Sequence, residues 1–135
     1  MIMNRNDLLI RLQNRTHLSA ERMFLSDKDY YCPTYQQVKD LLVKTNFERY
    51  KYKSEVFDCD DFARILSAFV IQCGYDMGWP QPWAFGVVFG YFPDLKGHHA
   101  RNFCYTSDKE LILPEPQNDI LYLHSVDCSY SVLFC

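Results

Sequence analysis

Apolar residues in the first half of the chain recur every three or four positions, the period of an amphipathic helix. One such stretch runs from Asn6 to Phe24 and is interrupted near Thr16-His17. A second follows Thr34, a residue suited to cap a helix, and is expected to end near Asn46. The third, over residues 60–73, is so apolar that it predicts a central helix buried on most sides.

The pattern changes to aromatic and β-branched residues after the first eighty positions. The stretch from Trp83 to Phe92 has the composition and length of a strand. Further strands are predicted at His99–Tyr105, Glu110–Leu113, Ile120–Leu123 and Ser131–Phe134. Helices followed by an antiparallel sheet indicate an α+β fold, in one domain that spans residues 1–135.

Composition narrows the classes of partner. The net charge of -3 and the 48% hydrophobic content leave no broad basic face, so nucleic acid is not expected as a partner. No apolar run reaches the roughly 20 residues that a membrane-spanning helix needs, and no membrane partner is expected. The first residues lack the long apolar stretch of a secretory signal, which favours a cytoplasmic location.

The cysteines are scattered along the chain without a CxxC pair, which indicates mostly free thiols that pack in the core. They are Cys32, Cys59, Cys73, Cys104, Cys128 and Cys135. Zinc is poorly supported, because structural zinc sites draw on closely spaced cysteine or histidine pairs, whereas the adjacent His98 and His99 would alternate faces on a strand.

Three separated segments carry residues that act together in thiol chemistry. Residues 58–63 read Asp-Cys-Asp-Asp-Phe-Ala, residues 99–102 read His-Ala-Arg-Asn, and residues 115–117 read Glu-Pro-Gln. A thiolate nucleophile needs a base within hydrogen-bond reach, and the base needs a third group that fixes its tautomer. Cys59, His99 and Glu115 could supply these groups. Cys59 would also begin the 60–73 helix, whose dipole favours a thiolate.

A β-hairpin would bring His99 and Glu115 together, because opposed residues of an antiparallel pair have a constant sum of positions. A turn centred on Ser107 places the two residues directly opposite each other. A two-residue turn at Ser107-Asp108 shifts Glu115 by one place. Both registers leave the residues at the same end of the hairpin, but only one points both side chains to the same face.

The order of these segments resembles the papain-like and transglutaminase-like superfamily, in which a cysteine heads a central helix and a histidine opens a strand. The segments are most similar to the calcium-dependent papain-like domain at the C-terminus of the fairy-ring mushroom agglutinin and to similar stand-alone domains. The resemblance spans about Tyr31 to Ile120. No sugar-binding repeat is present in this sequence, so the lectin function of that relative is not expected here.

The resemblance implies Cys59 as nucleophile, His99 as general base and Glu115 as the residue that orients His99. The implied activity is that of a cysteine peptidase, isopeptidase or amidase acting on a peptide or protein substrate. Acyl transfer of the transglutaminase type is an alternative that uses the same residues. A non-catalytic papain-like scaffold with a binding or inhibitory role is another. Specificity is expected to come from a partner or a dimer, because a chain of 135 residues leaves little room for two lobes.

The resemblance also implies Ca²⁺ or Mn²⁺ bound by Asp60 and Asp61. A physical reason points the same way, because Asp58, Asp60 and Asp61 crowd Cys59 with negative charge and so raise the pKa of its thiol. A divalent cation reverses that effect. Carboxylates also suit calcium better than zinc.

Each of these assignments has a structural alternative. Acidic residues at the start of a helix are commonly caps and dipole partners rather than metal ligands. His98 is the natural rival of His99 for the base. Trp79 and Trp83 either form the wall of a substrate groove or cap the sheet.

Overall fold

The computed structural model describes residues 1–45, 47–125 and 127–135. Over these residues the chain forms three α-helices, a two-stranded sheet and a six-stranded sheet. The predicted α+β class is therefore confirmed. No helix within the described part of the chain has the length and apolar character to cross a membrane.

Local capping chemistry sets the ends of the first two helices. Helix α1 (Arg5–Thr16) starts at Asn4, whose side chain accepts a hydrogen bond from the Asp7 amide, and ends at His17 in the left-handed conformation. The predicted break near Thr16-His17 is thus confirmed, but the helical stretch predicted as far as Phe24 is wrong, because Ala20–Arg22 form a short 3-10 helix and Met23–Phe24 form a strand. Helix α2 (Tyr35–Leu42) starts at Thr34 in a capping box with Gln37.

Helix α2 ends four positions before the predicted end, because the chain tightens into shorter turns. The amides of Lys44 and Thr45 donate to the carbonyls of Leu41 and Leu42, three residues back, and not to those four residues back. Asn46, the predicted end, lies outside the described residues.

Helix α3 (Cys59–Met77) begins at Asp58 and ends at Gly78, which has a φ of 66°. The prediction that this helix is buried on most sides is wrong. Its buried residues lie on one face and are Phe62, Ala63, Leu66 and Val70. Ile71 and Tyr75 are 70% and 89% exposed. The helix lies on the surface of the sheet, and its outer face is open to solvent.

The strands are β1 (Ile2–Asn4), β2 (Met23–Phe24), β3 (Asp29–Tyr31), β4 (Phe85–Phe92), β5 (Gly97–Thr106), β6 (Glu110–Pro114), β7 (Leu121–Leu123) and β8 (Ser129–Phe134). β1 pairs with β3, and the large sheet has the order β2-β8-β4-β5-β6-β7. The pairing of β2 with β8 is parallel and the other pairs are antiparallel. The large sheet is therefore mixed, not wholly antiparallel as predicted.

The large sheet carries helices on both faces. Leu8 and Leu12 of α1 belong to one apolar cluster with Phe103 of β5. The next residue of β5, Cys104, belongs to a second cluster with Val38 of α2 and Leu66 of α3. Because successive side chains of a strand point to opposite faces, α1 covers one face and α2 with α3 covers the other.

Candidate functional site

A cleft of about 260 Å³ lies where the start of α3 meets strands β4 and β5. Its lining residues are Cys59, Phe89, Gly90, His98, His99, Ala100 and Ser131. Cys59 is half-buried, and its sulfur is within hydrogen-bond reach of the Ala100 backbone. The fold therefore brings Cys59 and both candidate histidines to one cleft. Glu115 does not line the cleft and is 4% exposed.

The hairpin that carries His99 and Glu115 has neither of the predicted registers. Cys104 pairs with Ile112 and Thr106 pairs with Glu110, so the turn contains residues 107–109. Thr106 holds this turn by donating to the Glu110 carbonyl and accepting from the Lys109 amide. Continued along the strands, this register places position 101, not 99, opposite position 115.

A register shift of two residues leaves the side chains on the same face of the sheet. His99 Nε2 accordingly lies 3.3 Å from Glu115 Oε2, although the pair is not in hydrogen-bond geometry. His99 and Glu115 are thus close together as predicted, but they are diagonal neighbours on the two strands and not directly opposed residues.

Arg101 also contacts Glu115, and its place in the sequence had suggested no role for it. It is 1% exposed, and its Nε donates to Glu115 Oε2 at 3.0 Å. Its two terminal nitrogens donate to Asp94 at 3.1 and 2.5 Å. The position of Arg101 could have indicated this role, because a residue two places after His99 on a strand points to the same face of the sheet.

Burial alone would raise the pKa of the Glu115 carboxyl. The neighbouring His99 and the hydrogen bond from Arg101 outweigh burial, so the pKa of Glu115 is lowered. Burial disfavours the Arg101 cation, yet Asp94 and Glu115 more than compensate and raise the pKa of Arg101. The hydrogen bond from Arg101 also lowers the pKa of Asp94. The carboxylates and the guanidinium are therefore all charged at neutral pH.

The pKa of the Cys59 thiol is raised, which is the direction predicted from the carboxylates around it. Burial is the largest cause that raises the pKa of this thiol, and the charges of Asp58 and Asp60 raise it further. The Ala100 backbone and the start of the helix oppose this rise only in part. The protonated thiol is therefore the dominant form of Cys59 at neutral pH.

Three carboxylates crowd the first turn of α3. One oxygen from each of Asp58, Asp60 and Asp61 lies within 4.8 Å of the others. Hydrogen bonding with Asp60, followed by desolvation and the charges of both neighbours, raises the pKa of Asp58. Asp61 also accepts from the Asp58 amide as a helix cap, and Asp60 lies 3.5 Å from Arg64. The cluster thus combines helix capping with an excess of negative charge.

The two tryptophans stack with their rings 4.5 Å apart and 1° from parallel. Trp83 is 9% exposed and belongs to the core, whereas Trp79 is half-buried. Both line a hollow of about 280 Å³ between α3 and the start of β4. A β-carbon at Gly74 would lie 2.9 Å from Trp79, so this glycine allows the indole to approach the helix. Trp83 therefore packs in the core at the start of the sheet, and the role of Trp79 in a substrate groove stays a prediction.

Comparison with known families identifies the fold. The family model described as Agglutinin C-terminal matches residues 30–120, more than half of the chain. The chain belongs to this family. The predicted resemblance to an agglutinin C-terminal domain is therefore confirmed, whereas nothing in the comparisons supports a papain-like superfamily. No curated protein matches this agglutinin C-terminal domain.

Two solved structures share the fold of this agglutinin C-terminal domain. A structure named "PSL1a-E64 complex" has a TM-score of 0.81 and 24% identity, and the match covers 98% of this chain and 50% of that one. A lectin of Polyporus squamosus, bound to the human-type influenza-binding epitope Neu5Aca2-6Galb1-4GlcNAc, has a TM-score of 0.80 and 23% identity over 98% and 49% of the two chains. The domain thus spans about half the length of these proteins.

The comparisons contradict the prediction of a cysteine hydrolase. The family model places the chain with agglutinins, and the comparisons give no support to a thiol protease, to a catalytic triad or to a peptide substrate. The same findings set aside the transglutaminase alternative and the papain-like form of the fold.

Proposed function

We propose that this chain is a binding domain of a lectin-type protein and that its ligands are a divalent cation and carbohydrate. The observation that carries the proposal is the cluster of Asp58, Asp60 and Asp61 next to Cys59 of the cleft. The agglutinin family and the glycan epitope bound to one structural neighbour support carbohydrate as the second ligand.

The donors of the acidic cluster fit a hard cation. Carboxylate oxygens are the ligands that Ca²⁺, Mn²⁺ and Mg²⁺ prefer, and Ca²⁺ takes six to eight of them in flexible geometry. Hydrogen bonding with Asp60, desolvation and the charges of Asp60 and Asp61 raise the pKa of Asp58, and a bound cation would offset these charges. Asp58, Asp60 and Asp61 would hold the ion, and a bound Ca²⁺ would supply positive charge and open positions for hydroxyl oxygens.

The first experiment tests the cation. Isothermal titration of the protein with CaCl₂, MnCl₂ and MgCl₂ should show one site, and the variant Asp60→Asn/Asp61→Asn should weaken binding at least about tenfold, since it removes two charged ligands. Asp76→Asn is the matched control, because Asp76 is an exposed carboxylate near the other end of α3. Absence of binding by the wild-type protein, or equal binding by the double variant, would refute the cation site.

The carbohydrate ligand fits the hollow beside Trp79 best. Carbohydrate sites combine an aromatic surface, against which the C–H groups of a sugar ring pack, with planar polar groups that bind hydroxyls. The hollow offers Trp79 and Tyr75 as aromatic groups, with Gln81, Asp27 and Ser67 as polar ones. A second hollow continues past Trp79 and is lined by Tyr31 and Gln37 among others.

The second experiment tests the carbohydrate. The epitope Neu5Aca2-6Galb1-4GlcNAc and its component monosaccharides are titrated into the protein while tryptophan fluorescence is recorded. Binding should quench the fluorescence, and Gln81→Ala and Trp79→Leu should weaken binding at least about fivefold. Tyr52→Ala is the control, because Tyr52 is 58% exposed and lies outside both hollows. If no sugar binds to the wild-type protein, the proposed carbohydrate site is refuted. The cation site is tested independently by the metal titration.

A further inference from the structure

A row of polar side chains in mutual contact leads from the surface to the cleft. It runs from Asp94, whose side chain is 42% exposed, through the buried Arg101 and Glu115 to His99. Placing a guanidinium in the interior is costly unless its hydrogen bonds are satisfied. Arg101 is nevertheless buried close to His99, which both contacts Glu115 and lines the cleft.

The geometry holds Arg101 in one orientation. Its fork donates to both oxygens of Asp94 on one side, and its Nε donates to Glu115 on the other. The guanidinium carbon lies 4.8 Å from the Phe92 ring centre and 4.4 Å from that of Tyr122, so aromatic rings flank it. Lysine has neither the planar fork nor the stacking surface needed to make these contacts.

Arg101 acts on His99 through Glu115. The same oxygen that accepts from Arg101, Oε2, lies 3.3 Å from His99 Nε2. The other oxygen of Glu115, Oε1, accepts a hydrogen bond from the Gln117 amide. Both oxygens of the carboxylate are therefore held by hydrogen bonds. An ionised carboxylate only accepts hydrogen bonds, so it favours a proton on the nitrogen that faces it.

We propose that Arg101 is a positioning residue, which holds Glu115 in place so that neutral His99 carries its proton on Nε2 and keeps Nδ1 as a hydrogen-bond acceptor. His99 Nε2 is buried and makes no aligned hydrogen bond in the described part of the chain, so a small rotation of the ring toward Glu115 completes the contact. The inference does not depend on the proposed function, which places neither the cation nor the carbohydrate on His99. The tautomer itself is a property of the free protein.

Nitrogen-15 NMR of the imidazole tests the proposal directly. At pH 8, where most imidazoles are neutral, long-range proton–nitrogen spectra distinguish the two tautomers. The wild-type protein should show His99 with its proton on Nε2 in about tenfold excess, the preference that a hydrogen bond to a charged group supplies. Arg101→Lys should bring the two tautomers closer to equal population. Glu115→Gln, whose amide can donate, should move the proton toward Nδ1.

Controls separate positioning from a purely structural role. Arg15 forms a second arginine–glutamate pair, with Glu110, and this pair is exposed. The variant Arg15→Lys should therefore leave the His99 spectrum unchanged. If Arg101→Lys does not fold, Asp94→Asn releases the outer side of the fork and should shift the tautomer ratio in the same direction. A wild-type protein with the proton of His99 mainly on Nδ1, or unchanged spectra in folded Glu115→Gln, would overturn the proposal. Loss of cation or sugar binding alone would not.

Discussion

Removing the Arg101 cation should destabilise the protein strongly, and the size of the effect should depend on pH. Arg101→Met keeps an apolar stem between Phe92 and Tyr122 but leaves Glu115, which is 4% exposed, without its buried partner. Breaking a buried ion pair by removing one member costs about 3–5 kcal/mol. The lost contact with the two rings adds about 0.5–2 kcal/mol. The outer partner, Asp94, is partly exposed and returns to water at little cost.

The sign of the pH dependence follows from Glu115. In the wild-type protein the folded state lowers the pKa of this carboxyl below its ordinary value of 4.5. Its contribution to stability is therefore present above the unfolded pKa and is lost as the pH falls through the lower folded pKa. Without Arg101, only His99 and the Gln117 amide remain to offset the rise in the pKa of Glu115 that burial causes. We expect the folded pKa of Glu115 in the variant to rise above the unfolded one, so that protonation then favours folding.

The assay is urea unfolding, followed by circular dichroism at pH 7 and pH 5. The difference in unfolding free energy between wild type and Arg101→Met should be about 3.5–7 kcal/mol at pH 7 and clearly smaller at pH 5. Adding Glu115→Gln to the variant should recover part of the loss at pH 7, because no buried charge is then left unpaired. A cost below about 1 kcal/mol at pH 7, or the same cost at both pH values, would refute this account of the pair.

Two further predictions concern the strands that carry the cleft. Asn102→Ala removes hydrogen bonds to the carbonyls of Ala63 and Gly86 at 2.8 and 3.1 Å, so it should lower the free energy of unfolding by about 1–3 kcal/mol in a denaturant titration; an unchanged midpoint would count against it. Gly86→Ala would place a β-carbon 2.1 Å from the Phe134 carbonyl oxygen and should cost about 3 kcal/mol or more, whereas Gly78→Ala, with open space and a φ of +66°, should cost about 1–2 kcal/mol. Equal melting temperatures for the two glycine variants would contradict this reading of the β4–β8 contact.

Local signals in the sequence were enough to predict most of the large elements. Thr34 and the break near Thr16-His17 mark helix ends through side-chain caps and a left-handed residue, which involve only a few neighbouring positions. The predicted strands of the second half match β4 to β8 within two residues at each end. Strands β1, β2 and β3 were missed because each has two or three residues, too few to show a period of two.

The register of the hairpin could not be predicted from such local signals. The hydrophobic pattern determines which residues share a face, and a slip of two residues leaves that pattern unchanged. Only the turn at residues 107–109, held by Thr106, decides that position 101 lies opposite position 115. His99 and Glu115 were therefore expected together for a partly correct reason, and the contact of Arg101 with Glu115 was not expected at all.

The order of cysteine, histidine and glutamate along the chain gave the wrong function because order predicts proximity and not ionisation. The fold does bring Cys59 and His99 to one cleft, yet burial and the charges of Asp58 and Asp60 keep the thiol protonated. The same two carboxylates belong to the cluster whose crowding favours a cation. One arrangement of charge thus raises the pKa of the thiol and supplies the carboxylates of the proposed cation site.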